Sequence, residues 1–174
     1  MKATCLLPTV LLCGCVATAG PTYDDAAKSK LIAFNYAAAD DLLAQSRVVL
    51  DANKPILTAT LVNVDDLNQS SRLGRLISEH VASRLAQQGV PVVEMKMRGS
   101  IFMQKAEGEL LLSREVKNIT TSHSAQAVVV GTYAQARDYV YVTVKLVRSI
   151  DNEVLAAHNY ALPLDSNIGS MLPH

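Results

Sequence analysis

The stretch QAVVVGTYAQARDYVYVTVKLVRSIDNEVLAAHNYAL, residues 126–162, decides the fold. Gln126 to Ala134 carries Ala127-Val128-Val129-Val130 at its centre, an apolar, β-branched run suited to a buried strand. Tyr139 to Val147 alternates strictly. Val140, Val142, Val144 and Leu146 fall on one face, and Tyr139, Tyr141, Thr143 and Lys145 on the other, the period-2 mark of a strand covered on one side. Asp151-Asn152 supplies turn chemistry, and Glu153 to Leu162 returns as a last strand. Three strands joined by short connections predict an antiparallel meander.

Upstream the pattern changes. Ile56 to Val64 reads as a first, central strand, and Asp65 to Ser71 as a polar loop. Ser70 or Ser71 caps a helix from about Arg72 to Gln88, with Leu73, Leu76, Ile77, Val81 and Leu85 as its buried stripe and Gly89 at its end. Val92 to Met97 alternates as a strand. Before these, Ala26 to about Leu50 is helical, with Leu31, Phe34, Ala38, Leu42 and Val49 on one broad face, joined by Ile32, Ala39 and Leu43. Asn53-Lys54-Pro55 ends it. Within 98–112, Ile101 to Lys105 has strand composition and Glu107-Gly108-Glu109 that of a turn, and Ser113 caps a brief helix through Ile119. The order predicts an α/β fold: a mixed sheet, partly parallel at its start, ending in the meander, with helices packed on it. The organisation expected is a signal at 1–14, an acylated cysteine and tether at 15–25, one domain over 26–165, and a frayed tail at 166–174.

Lys2 and the apolar stretch Cys5–Cys13 match the head and core of a secretion signal, far short of the roughly 20 residues a spanning helix needs. Leu12-Cys13-Gly14-Cys15 then resembles a bacterial lipobox: a branched residue, two small ones, and the cysteine whose thiol takes the lipid. Two or more acyl chains anchor stably where one does not. The three cysteines are 5, 13 and 15, so cleavage before Cys15 leaves no disulfide and no cysteine metal site. Val16 rather than Asp after the cysteine favours the outer membrane. Loss of residues 1–14 removes Lys2 and leaves 15 basic against 16 acidic residues. A near-neutral chain without a basic run is poorly suited to nucleic acid. With Trp absent and two Phe, a glycan site built on stacked aromatics has little to work with.

Several ordered segments resemble the FlgO family of bacterial envelope proteins, over about Leu42 to Leu162. They are Thr58–Asn68, Ser71-Arg72-Leu73-Gly74-Arg75, Val92-Val93-Glu94, Gly108-Glu109-Leu110-Leu111-Leu112-Ser113-Arg114-Glu115, Val129-Val130-Gly131-Thr132-Tyr133 and Asn152-Glu153-Val154-Leu155-Ala156-Ala157. The resemblance implies an outer-membrane lipoprotein domain connected with flagellar assembly or motility, without enzymatic activity.

The candidate partner-binding residues are Arg72, Arg75, Glu107, Glu109, Ser113 and Arg114. Arg72 and Arg75 lie off the apolar stripe on a first helical turn, where a cation opposes the helix dipole. They suit an acidic partner, or Asp65 and Asp66 within the chain. Glu107 and Glu109 invite an acid–base reading, yet a polar turn fixed by Arg114 is the simpler one. His80 falls on the buried stripe as a core histidine with one hydrogen-bond partner. The remaining histidines have no metal-ligand spacing, and Gly131-Thr132-Tyr133 lacks a phosphate-loop pattern. Gly131 instead fits a close helix approach or a strand bend. No cofactor is expected.

Two functional classes follow. One is a non-catalytic assembly or scaffold lipoprotein anchored through Cys15 at the outer membrane, with flagellar proteins, or those of another envelope machine, as partners. The other is a periplasmic glycan-acting enzyme using Glu107 or Glu109, which requires those carboxylates to converge in a deep pocket.

Overall fold

The computed structural model describes residues 30–46, 49–95, 118 and 120–173. The leader, Cys15, the tether, the 98–112 segment and the candidates Glu107, Glu109, Ser113 and Arg114 lie outside the described residues.

Helix α1 spans Lys30–Ser46, and α2 spans Arg72–Gln87. Strands β1 (Ile56–Thr58), β2 (Val62–Asn63), β3 (Val92–Glu94), β4 (Ala127–Gln135), β5 (Tyr139–Arg148) and β6 (Val154–Pro163) form one sheet. Its order is β3-β1-β4-β5-β6, with β2 pairing β4 beyond the end of β1. β1 runs parallel to β3 and β4, while β4-β5 and β5-β6 are antiparallel, so the expected mixed α/β fold with its closing meander is present. β1 is central, as its apolar composition requires: Ile56 and Leu57 are wholly buried because both sheet faces are covered there.

One face carries the main core. Ile56, Val129, Val142, Val144 and Leu146 meet Leu42 of α1 and Leu73, Ile77, Val81 and Leu85 of α2. Each fully buried Leu or Ile contributes about 1.5–3 kcal/mol. The stripe of α2 therefore outweighs the roughly 1 kcal/mol that Gly74 costs inside a helix. Leu57, Val62, Met95, Val128, Val130 and Val147 form a second cluster on the opposite face.

The boundaries depart from the sequence reading in three places. First, the strand expected over Ile56–Val64 is interrupted at residues 59–61, leaving β1 and β2 as two collinear pieces. Second, α1 is described as far as Ser46, and after residues 47–48, which lie outside the described residues, Val49 is already in a turn. The Ser46 hydroxyl donates back to the Leu42 carbonyl at 2.6 Å, and the amides of Val49 and Leu50 fold onto Ser46 O. Val49 is 55% exposed and Ile32 48%, whereas Asn35, omitted from the expected stripe, is wholly buried. Third, the chain beyond Asp165 does not fray: helix α3 spans Ser166–Ser170 with Asp165 as its cap, and Ile168 and Leu172 enter the main core.

Asn35 holds α1 in place. Its amide donates to Nδ1 of His80 on α2 at 2.9 Å, and its carbonyl accepts from the Tyr160 hydroxyl on β6 at 2.5 Å. His80 thus has the hydrogen-bond partner that its spacing implied, but it is half-buried at the edge of the core rather than within it. Burial holds its imidazole below the ordinary value, with Glu79 opposing, and burial pushes the Tyr160 phenol up. A bidentate Arg84–Asp40 pair and an Asp41–His158 contact of 2.7 Å flank this bridge. The Gln45 side chain meets both the N–H and the carbonyl of Ala157, pairing the outer edge of β6 where no strand follows.

Candidate interaction site

The start of α2 is built around the break between β1 and β2. Ser71 caps the helix, its hydroxyl accepting from Gly74 N–H at 3.0 Å, as the Ser-x-x-Gly spacing permits. One turn later Ser78 enters the sheet. Its Oγ accepts from Leu61 N–H at 3.1 Å and lies 2.8 Å from the Ala59 carbonyl and 3.0 Å from that of Gly74. A serine hydroxyl thereby supplies the backbone partners that the interrupted strand loses. Gly74 lets the helix come this near, and Gly131 on β4 accepts the Leu61 side chain. The expectation that Gly131 relieves a close approach is correct in kind, although the Thr143 carbonyl of β5 and the Leu61 side chain, rather than a helix, come near it.

Tyr133 closes the bottom of this junction at 1% exposure. Its hydroxyl faces Ser71 and the Arg75 guanidinium without a hydrogen bond of good geometry. Burial raises the phenol's pKa, and the two neighbours offset part of that rise. The C-terminal turn seals the other side, the Met171 carbonyl accepting from Leu73 N–H at 3.1 Å.

Arg72 and Arg75 project outward from this junction, both exposed. The first turn of α2 holds no acidic residue, and neither arginine forms an ion pair among the described residues. Arg75 Nη1 reaches Ser70 Oγ at 3.4 Å. Asp65 and Asp66 are not their partners. The Asp66 carboxylate accepts from Asn68 N–H at 3.0 Å, and the Asp65 N–H donates to Asn63 Oδ1 at 3.0 Å, so this loop is organised within itself. The two arginines therefore form a positive patch, unpaired among the described residues, at the positive end of a helix dipole. Ser78 and Tyr133, which build the platform beneath them, were not candidates in the sequence reading. The one available signal for Ser78 was a small polar residue among the apolar positions of the α2 stripe.

Among the described residues no cluster of His, Cys, Asp and Glu is arranged to hold a metal, and no helix is long and apolar enough to cross a membrane. A cleft of about 840 Å³ lies between the connection that follows α1, the turn before β4 and the β5–β6 turn; the carboxylate lining it belongs to Asp51.

The features assembled here define a mixed α/β domain with helices packed on one sheet face and an arginine-bearing helix start. The chain belongs to the FlgO protein family, whose match spans residues 36–167. The fold is similar to that of the LpoB C-terminal domain from Salmonella enterica (TM-score 0.54, 14% identity, 76% of this chain and 97% of that one). It is similar too to LpoB from E. coli as solved by NMR (TM-score 0.53, 14% identity, 94% of this chain and 85% of that one). At such identity these are likenesses of fold. Comparison with curated proteins gives no match. Family membership suggests an envelope lipoprotein.

Proposed function

We propose that this FlgO-family protein is a non-catalytic, lipid-anchored lipoprotein of the outer membrane that serves as an assembly or scaffold component of the flagellum. The observation that carries the reading is the unpaired Arg72–Arg75 patch, held rigidly on the Ser71–Ser78 junction inside the region that matches the family. Cations at a helix start cost stability, so their placement there is explained by contact with an acidic partner. The lipobox at Leu12–Cys15 supplies the anchor, and confinement to a membrane raises the effective concentration of the domain near partners embedded there. The Glu107–Arg114 segment belongs to the same reading as a second contact region.

The test is a deletion strain complemented with three versions of the gene. Wild type should restore swimming and intact filaments. Cys15→Ser and the double variant Arg72→Glu/Arg75→Glu should not, although each accumulates. Normal swimming in the deletion strain removes the flagellum from the proposal; full rescue by the double variant removes the arginine patch.

A further inference from the structure

We propose that the outer surface shared by the first turns of α1 and α2 docks an amphipathic helix of a partner protein, which brings carboxylates to Arg72 and Arg75 and a large aliphatic side chain to Ile32 and Leu76. The proposal rests on the reading of the two arginines as contacts for an acidic partner, and it names the kind of segment that carries the acid.

The two helices lie side by side and run in the same direction. Asn35 donates to His80 at 2.9 Å, and the Tyr36 ring stands edge-on to the same imidazole, 6.4 Å away. One turn later Asp40 pairs with Arg84 and accepts from Gln88. One turn earlier the same register sets Ile32 beside Leu76, and Arg72 precedes Leu76 by four residues on α2. The far end of this groove is closed: the Arg84 guanidinium lies over the Tyr36 ring at 5.5 Å, and Gln87 donates to the Tyr36 hydroxyl at 3.2 Å. The near end is open. Ile32 lies on the side of α1 that carries Tyr36, toward α2, yet it is 48% exposed, and Leu76 is only half-buried. Apolar surface left in water on a seam between helices is what an aliphatic side chain of a partner would cover.

Charge selects the partner. Lys30, Arg72 and Arg75 are exposed and form no ion pair among the described residues. α1 has no carboxylate before Asp40, and α2 has none before Glu79, which is exposed four residues beyond Arg75. Three cations therefore face one carboxylate over the first two turns, and acidic side chains on the occupant complete the balance.

The backbone selects the occupant's conformation. The Leu73 and Gly74 N–H groups are taken by the Met171 carbonyl and the Ser71 hydroxyl, and the later turns of both helices are bonded internally. An extended segment laid across this surface would find no ladder of donors and acceptors to pair with. A helix satisfies its own backbone and presents side chains at i, i+3 and i+4 to a short groove. Packing on both helices at once, at the usual ~8–10 Å between axes, lets one aliphatic anchor reach Ile32 and Leu76 together.

The test is fluorescence anisotropy with the full chain carrying Cys15→Ser and three labelled helical peptides of about 15 residues. The first has leucine on its apolar stripe and glutamate elsewhere; the second replaces glutamate by lysine, and the third replaces leucine by alanine. The Glu/Leu peptide should bind at least about tenfold tighter than either control, because each control lacks one half of the recognition. Ile32→Gln should weaken it about tenfold, and Arg72→Gln/Arg75→Gln about fivefold with a shallower salt dependence, both with an unchanged circular dichroism spectrum. No binding of the Glu/Leu peptide, or equal binding of either control, would overturn the proposal. Wild-type affinity in Ile32→Gln with loss in the arginine variant would overturn the groove and leave the acidic-partner reading standing. Wild-type affinity in the arginine variant would overturn both.

Discussion

Gly74 and Leu61 are in such close approach that a β-carbon on Gly74 would stand 2.3 Å from the Leu61 carbonyl oxygen. The contact is backbone against backbone, so no side chain can swing away to relieve it. It seats the first turns of α2 on the broken strand and fixes where Arg72 and Arg75 emerge. Gly74→Ala should therefore cost about 3 kcal/mol or more in chemical denaturation, despite alanine's better helix propensity. Gly89→Ala is the control. It sits at φ +80° with open space around it and should lose only about 1–2 kcal/mol. The reverse ranking would show that conformation, not contact, governs the junction.

Ser78→Ala should lower stability by about 2 kcal/mol, because it leaves the Leu61 N–H and the Ala59 carbonyl buried with no side-chain partner. For a chain of this size that is a fall in Tm of about 4–8 °C, read by differential scanning calorimetry. Ser78→Cys, similar in size but a poor hydrogen bonder, should recover little of the loss. A Cys variant as stable as wild type would make packing the cause.

His80 gives stability a definite pH dependence. Its folded-state pKa lies below the ordinary 6.5 because burial disfavours the imidazolium, an effect that Glu79 offsets only in part. The unfolded chain therefore takes up the proton first. The contribution is complete above pH 6.5 and declines as the pH falls below 6.5 toward the folded value. Urea midpoints at pH 7.5 and 5.5 should differ less in His80→Gln than in wild type. Equal differences would exclude His80 as the source.

Arg72→Glu/Arg75→Glu should separate stability from function. Acidic residues on a first helical turn complement the dipole, so Tm should hold or rise by about 1–3 °C. Rescue of motility should fail at the same time. Loss of both together would make the arginines structural.

Cys15→Ser should abolish incorporation of an alkyne-tagged fatty acid and release the protein from the membrane fraction. Equal labelling of variant and wild type would place the lipid elsewhere or nowhere on the chain.

Periodicity carried most of the architecture. The alternation of Tyr139–Val147 specified a half-covered strand, and the apolar run at Ala127–Val130 a buried one, because side-chain spacing is a local property. The stripe of α2 and its Ser71 cap were legible for the same reason. Tertiary structure alone decided the break at residues 59–61. A run of apolar and β-branched residues satisfies strand propensity throughout, and nothing within it announces that Ser78 and Gly74, more than ten positions later, will take over its backbone contacts. The burial of Asn35 was hidden likewise, since an asparagine becomes a core residue only where an imidazole and a phenol from other elements meet it. The tail was misjudged because Ile168 and Leu172 are too few to form a periodic signal, yet the groove beside α2 accepts both. Local chemistry determined which elements form and where α2 begins; long-range hydrogen bonds and steric fit determined where strands break and which polar groups are buried.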